Sequence, residues 1–203
     1  MVQSGSRRIR RAGGPRRTVV LGQVVDVLAD RGFAATRFQD VSAASGVAVS
    51  TLQGYFGSRE DMLIEALTGA TSGEVTALHE LAAGFGDPWQ QLVALIDRGL
   101  FTSARTWRML MEFWTAAAHD SELREHAAAL AEQYREPFVE ALRRGVDAGA
   151  FEPRFNSAAI VDVVVATMDG LLYPVVLGHR GSDVTDYRDV VLAQLALVLG
   201  KDA

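Results

Sequence analysis

One stretch, TRFQDVSAASGVAVSTLQGYFGSR from Thr36 to Arg59, most restricts what this chain can become. Apolar residues recur at helical spacing in Phe38, Val41 and Ala44, stop at Gly46, and resume in Val47, Val49 and Leu52. Two short helices around a tight turn satisfy that pattern. Gly46 supplies the positive φ of a sharp reversal, and a buried valine on either side pins the helices together. Thr36 and Gln39 form a T-x-x-Q capping box, which predicts that the first of the pair starts at about Arg37. The second presents Val49, Ser50, Thr51, Gln53 and Tyr55 outward. Small, hydrogen-bonding side chains at the head of an exposed helix suit a DNA major groove.

A net charge of −5 over 203 residues argues at first against a nucleic-acid partner. Its distribution reverses that impression. Residues 1–59 hold nine arginines against Asp26, Asp30 and Asp40, a net +6, which leaves −11 for the remainder. A basic head on an acidic body is the electrostatics of a protein that binds DNA at one end. The absence of cysteine removes disulfides, thiolate nucleophiles and cysteine-based zinc sites. A reducing, cytoplasmic compartment is therefore expected. Apolar runs such as Val163 to Ala166 and Leu171 to Leu177 fall short of a bilayer span, and the basic N-terminus lacks the apolar segment of a signal peptide.

Taken in order, residues 1–15 mix Ser, Gly and Arg with little apolar content and are expected to be disordered when free. They read equally well as a solvated tail or as an arm whose arginines meet phosphates or the minor groove. From Thr18, the residues Val20, Val24, Val27 and Leu28 mark a helix stopped at Arg31-Gly32. The expected core of the head is Val20, Val24, Leu28, Phe33, Phe38, Val41, Val47, Leu52 and Phe56. Ser58 with Asp61 caps a fourth helix running to about Ala82, and Asp87-Pro88 opens a fifth running to about Ser103. A sixth spans about Arg105 to Ala118, and Asp120-Ser121 caps a seventh that ends near Gly149 and is kinked at Pro137. The eighth runs from Ala158 to about Leu177, and the ninth follows Asp183 and ends near Leu199. The predicted fold class is all-α with about nine helices: a helix-turn-helix head at 16–60 and a larger helical bundle at 61–203.

The last two helices are apolar on more than one face, so one face needs the body and the other needs a partner, most simply a second copy related by a two-fold axis. The expected interface is Ile160, Val164, Leu171 and Val175 on the eighth helix with Tyr187, Val191, Leu195 and Val198 on the ninth. Helices six to eight carry Trp107, Met111, Phe113, Trp114, Tyr134, Phe138, Met168 and Tyr173. Each one alone reads as ordinary core, but together they supply what a roomy apolar pocket with a few polar tips requires.

The run from Thr18 through Leu67 carries Gly32-Phe33, Thr36, Ala44, Gly46-Val47, Thr51-Leu52, Tyr55-Phe56 and Ser58-Arg59-Glu60, and it resembles the tetracycline-repressor (TetR) family of transcriptional regulators. The body resembles the family more loosely, through helix count, the Trp-rich sixth helix and Met168-Asp169-Gly170-Leu171. The resemblance implies an all-helical homodimer with a three-helix DNA-binding head and a body that holds a ligand pocket and the dimer interface. With the outward row of the second short helix and the clustering of arginines, the expected DNA contacts are Arg16, Arg17, Thr36, Arg37, Val49, Ser50, Thr51, Gln53, Tyr55 and Arg59. Adjacent helical positions face different ways, so Phe56 is expected inward and Tyr55 toward phosphate. Ala48 stands where the family usually has a capping serine. Val49 and Ser50 stand where lysine and glycine are common, and Gln53 replaces a phosphate-touching tyrosine. Gln53 could pair with an adenine edge or bond a phosphate, so the family's base preferences do not transfer. Arg59 matches a lysine near the start of the fourth helix.

No nucleophile triad, phosphate loop or paired-carboxylate signature stands out, so no enzymatic activity and no cofactor are expected. His119, Glu122 and His126 would share a helical face only if that segment were continuous. Asp120-Ser121 breaks it in this reading, so no metal is expected. The function implied is a homodimeric repressor released from a palindromic operator in double-stranded DNA by a small, largely apolar effector. The rival readings are a ligand-independent, weakly specific DNA-binding protein and a helical carrier or enzyme with a vestigial head.

Overall fold

The computed structural model describes residues 14–178 and 184–201, with the side chains of Glu122, Leu172, Val175 and Val184 outside that description. The described residues form nine helices and no strands. The chain makes two compact units, 1–69 and 70–203, and the division falls inside the fourth helix rather than at its start.

In the first unit, α1 spans Pro15–Arg31, α2 Phe38–Ser45 and α3 Val49–Phe56, and α4, Arg59–Ala83, begins. Helix α1 starts three residues before the expected Thr18, because Pro15 occupies the first helical turn, where its missing N–H costs nothing. Arg16 and Arg17 therefore belong to a helix. The arginines of the expected arm, at 7, 8, 10 and 11, lie outside the described residues. Gly32, at φ 82°, ends α1 with its N–H on the Leu28 carbonyl at 2.8 Å. Gly46, at φ 64° and ψ 13°, makes the left-handed reversal between α2 and α3.

The capping box sits one residue later than the sequence pattern suggested. The Asp40 carboxylate accepts from the Arg37 N–H at 2.8 Å, and α2 starts at Phe38. The Thr36 side chain is instead buried, its hydroxyl donating to the Gly32 carbonyl at 2.8 Å. The buried residues of the head include Val20, Val24, Leu28, Val41, Val47, Leu52 and Phe56, joined by Ala29, whereas Phe33 and Phe38 are half-buried. Ser58 caps α4 by accepting from the Asp61 N–H at 3.0 Å.

In the second unit, α4 continues to Ala83 and is followed by α5 Pro88–Leu100, α6 Ala104–His119, α7 Ser121–Asp147, α8 Ser157–Val176 and α9 Val184–Val198. Asp87 caps α5 through the Trp89 N–H at 2.8 Å, and Asp120 caps α7 through the Leu123 N–H at 3.0 Å. Helix α5 stops at Leu100 rather than Ser103 because Ser103 is itself the cap of α6, accepting from the Thr106 N–H at 3.1 Å. The expected start of α9 at Asp183 lies outside the described residues. Pro137 lies inside α7 as read, and Pro174 lies inside α8 unforeseen.

Helix α5 packs on α7, α8 and α9, and α6 packs on α7 and α8. Leu92, Leu95, Ile96, Phe138, Leu142, Val161 and Met168 stand in the resulting core. Two polar ties cross that bundle. Arg188 of α9 grips Asp97 of α5 through two bonds, at 2.5 and 3.0 Å. Buried Gln91 donates to the last-turn carbonyl of Ala82 at 3.0 Å while accepting from Arg144 at 3.1 Å.

Candidate nucleic-acid interface and ligand cavity

The helix-turn-helix leaves an exposed polar row on α3. Ser50, Thr51 and Gln53 are exposed, Val49 and Tyr55 are half-buried, and Leu52 and Phe56 turn inward. That division follows from helical period: 52 and 56 are four apart on one face, while 50, 51 and 53 fall on the others. The Tyr55 and Phe56 rings meet edge to face at 6.0 Å. Ala48 precedes α3 without a side-chain cap, and the Thr51 N–H closes the first turn on the Ala48 carbonyl at 2.9 Å. Arg16 and Arg37, elsewhere in the head, are exposed and carry their charge into solvent.

Three expected DNA contacts take other roles. Thr36 is buried, as described above. Arg17 is bound inside the head, with both terminal nitrogens on Glu65 (one of them at 2.5 Å) and its guanidinium 4.8 Å over the Phe56 ring. Arg59 donates to the Thr36 carbonyl at 2.5 Å and to the Phe33 carbonyl, with its guanidinium 5.5 Å over the Phe33 ring. A guanidinium offers five donors in a fixed fork, which suits stitching a loop carbonyl pair as well as it suits phosphate. Sequence spacing alone does not separate the two uses.

The body contains a cavity of about 200 Å³ between α4, α6, α7 and α8, walled by Trp107, Leu110, Trp114, Leu130, Ala131, Tyr134 and Val165. Polar groups reach it from Thr71 and Glu74 of α4, Arg135 of α7 and Asp169 of α8. Of the eight residues expected to line a pocket, Trp107, Trp114 and Tyr134 do so. Phe113, Phe138 and Met168 are fully buried core instead, Met111 is half-buried away from the cavity, and Tyr173 is 55% exposed. Met168 is drawn inward because Gly99 of α5 leaves its sulfur space that a Cβ would occupy. The α4 contribution had no signal in the sequence, since Thr71 and Glu74 belong to a helix weak in amphipathic pattern, with Gly69 and Gly73 in its middle.

Burial pushes the Tyr134 phenol up to about 12, with Asp169 and Glu74 adding to the effect, so it remains a neutral hydrogen-bond donor. Desolvation also raises the Asp169 carboxyl above the usual range. Asp169 lines the cavity and is exposed as a whole residue.

A second concavity, about 470 Å³ and almost wholly apolar, lies along α8 and α9. Its rim is Phe155, Val163 and Leu197, exposed at 66, 66 and 64%, with Val190 at 56% on the same helix as Leu197. Ile160, Val164, Val191 and Leu195, expected on the outer surface, form its floor and face the body core. Val198 lines it half-buried. Leu171 packs against the body core, Tyr187 is half-buried outside the groove, and the Val175 side chain lies outside the described residues. The outward row on α8 is 159, 163 and 167, one position from the row expected. A helix apolar on every side offers no phase from which to choose.

A helix-turn-helix unit with an exposed polar row on α3, followed by a larger helical body, is the architecture of a transcriptional regulator. Two family models locate it further: residues 24–66 match that of bacterial regulatory proteins of the tetR family, and residues 88–200 match that of the BetI-type transcriptional repressor C-terminal domain. The chain belongs to the TetR family of transcriptional regulators, with a BetI-type body. Among solved structures it is similar to a transcriptional regulator from Saccharomonospora viridis in complex with choline, at 22% identity and a TM-score of 0.81 over 89% of this chain and 95% of that one. It is also similar to a TetR transcription regulator from Haloarcula marismortui, at 16% identity and a TM-score of 0.80 over 91% and 97%. A third similar structure is the regulator FadR from Bacillus subtilis in complex with stearoyl-CoA, at 18% identity and a TM-score of 0.68 over 91% and 99%. A search of curated proteins finds no match.

Proposed function

We propose that this TetR-family regulator acts as a homodimeric repressor whose two α3 helices enter successive major grooves of a palindromic site and are released when a small molecule fills the body cavity. The observation that carries this reading is the course of α4. Its Arg59 and Glu65 are bonded to the head, and the same continuous helix supplies Thr71, Glu74 and Val75 to the cavity wall. An occupant that displaces the 71–75 turn acts on the same helix that enters the DNA-binding unit. By linkage, operator DNA then weakens effector binding by the same factor as effector weakens DNA binding.

Base reading falls to Val49, Ser50, Thr51 and Gln53, and phosphate contact to Arg16, Arg37 and Tyr55. The second copy covers the groove along α8 and α9, whose exposed valines and leucine are otherwise left to water. The half-sites then lie about 34–36 Å apart, or a near multiple. Relatives of this fold hold molecules as unlike as choline and stearoyl-CoA, so the fold accommodates dissimilar effectors and the walls of this cavity decide.

Selecting bound fragments from the protein's own genome is the direct test. Recovery of a shared inverted repeat, bound at least about a hundredfold more tightly than a scrambled duplex at the same salt, is the expected result. Equal affinity for scrambled DNA would sink the operator reading. Effector affinity that is identical with and without operator would sink the release mechanism.

A further inference from the structure

The outward face of α3 is built from uncharged groups. Val49–Phe56 contains no arginine, lysine, aspartate or glutamate, and its exposed side chains are Ser50, Thr51 and Gln53. The arginines of the head do not make up for this. Arg17 and Arg59 are bonded inside the head, Arg31 pairs with Asp40 at 3.1 Å, and Arg16 and Arg37 stand at the starts of α1 and α2. Guanine shows two acceptors in the major groove, and its usual bidentate partner is a cation with two donors, so α3 holds no such group. The exposed polar groups are also uncommitted. The hydroxyls of Thr36, Thr76, Thr102 and Thr167 each donate to the carbonyl four residues back. Ser50 and Thr51 stand in the first turn of α3, and the carbonyls four residues before them belong to the preceding turn. The side chains of Ser50, Thr51 and Gln53 hold no hydrogen bond to any described residue.

Gln53 is the longest of the three, and its place in the helix gives it reach. A helical side chain leans toward the N-terminus of its own helix, so Gln53 covers the turn of Val49 and Ser50, the end of a recognition helix that meets base edges. Gly54 follows it, and a Cβ built there meets nothing within 4 Å, so no described neighbour requires a glycine at this point of the helix. The missing side chain lets the 53–54 backbone come close to a duplex. A carboxamide offers one donor and one acceptor side by side. Adenine presents the complement in the major groove, an N6 donor beside an N7 acceptor, whereas guanine shows two acceptors, cytosine a donor, and thymine an acceptor with a methyl group. Resting on the operator reading above, we infer that Gln53 is the principal sequence-reading residue of α3: in each half-site its carboxamide accepts from N6 and donates to N7 of one adenine, and no guanine is read by a paired contact from this helix. Ser50 and Thr51 add single bonds that tolerate more than one base.

The test uses the full-length protein with the duplex recovered by the genomic selection and a scrambled duplex of the same composition. Each adenine of the half-sites is replaced in turn by 7-deazaadenine, symmetric positions together, which removes N7 and leaves Watson–Crick pairing intact. The expected result is one position in each half-site at which the parent loses about tenfold or more in affinity. At that position Gln53→Ala, checked for an unchanged melting profile, loses nothing further and accepts any base pair, while it keeps its selectivity elsewhere in the site. Parent affinity unchanged by 7-deazaadenine at every position overturns the proposal, and that outcome depends on no variant. A Gln53→Ala protein that loses the same factor on the operator and on the scrambled duplex also overturns it, since uniform loss marks a phosphate contact. A parent that binds the operator and the scrambled duplex alike removes the operator reading itself. A parent that keeps its preference for the operator yet is indifferent to 7-deazaadenine leaves that reading standing and removes the adenine contact.

Discussion

Arg59 donates to the carbonyls of Thr36 and Phe33, and so ties the start of α4 to the loop between α1 and α2. Arg59→Ala removes both bonds and the stacking on Phe33. The expected loss is about 1–3 kcal/mol of head stability, seen as a lower first transition in thermal unfolding. Because the guanidinium is held inside the head, that variant should leave the slope of DNA affinity against salt nearly unchanged. Loss of exposed Arg37 should reduce the slope by about one. Asp169 offers a pH test with a definite sign. Its carboxyl is raised in the folded state, so folding favours the protonated form, and the destabilising cost appears as pH climbs above the ordinary carboxylate range. Asp169→Asn should therefore stabilise the body at neutral pH relative to the unmodified chain. The two urea-unfolding midpoints should converge as pH falls through that range, and a gap that persists in acid would show that the carboxylate charge is not its source.

At the scale of elements, the caps were the most legible features. Ser58, Asp87 and Asp120 accept from first-turn amides as their positions suggested, because a cap is a local bond between residues two or three apart. The tie across α4, α5 and α7 was not legible, since Gln91 and Arg144 are 53 positions apart and neither is unusual in its own helix. Gln91→Ala should remove the donor to the last turn of α4 and leave Arg144 with the Gly86 carbonyl but without its Gln91 acceptor, at a cost of about 1–3 kcal/mol in equilibrium unfolding. The close crossing at Gly145 was equally hidden. A Cβ there would come within 1.9 Å of the Phe151 ring, so Gly145→Ala should displace that ring and destabilise the body by about 1–3 kcal/mol. A variant as stable as the parent would mean that the 148–156 loop moves without cost.

For the molecule as a whole, the groove along α8 and α9 decides the oligomeric reading. Val163→Asp and Leu197→Lys place charges on its exposed rim without touching the buried floor. Sedimentation of these variants should show monomers with unchanged helical content. Affinity for a two-half-site duplex should fall far more than affinity for a single half-site, because the linked second contact is lost. Dimers that survive both substitutions would move the interface elsewhere.

The chain's local order determined much by itself. It announced nine helices, the glycine reversal at Gly46, the inward Phe56, and the separation of a basic head from an acidic body, all of which depend on neighbours within a turn or two or on simple charge counting. The uses of Arg17 and Arg59, the choice of Trp107, Trp114 and Tyr134 over Phe113 and Phe138, and the outward face of α8 were decided only in three dimensions. In each case several side chains or faces were chemically equivalent in one dimension. Packing broke the tie: Glu65 and two loop carbonyls captured the arginines, Gly99 admitted Met168 to the core, and the body took one apolar side of α8 and left the other open.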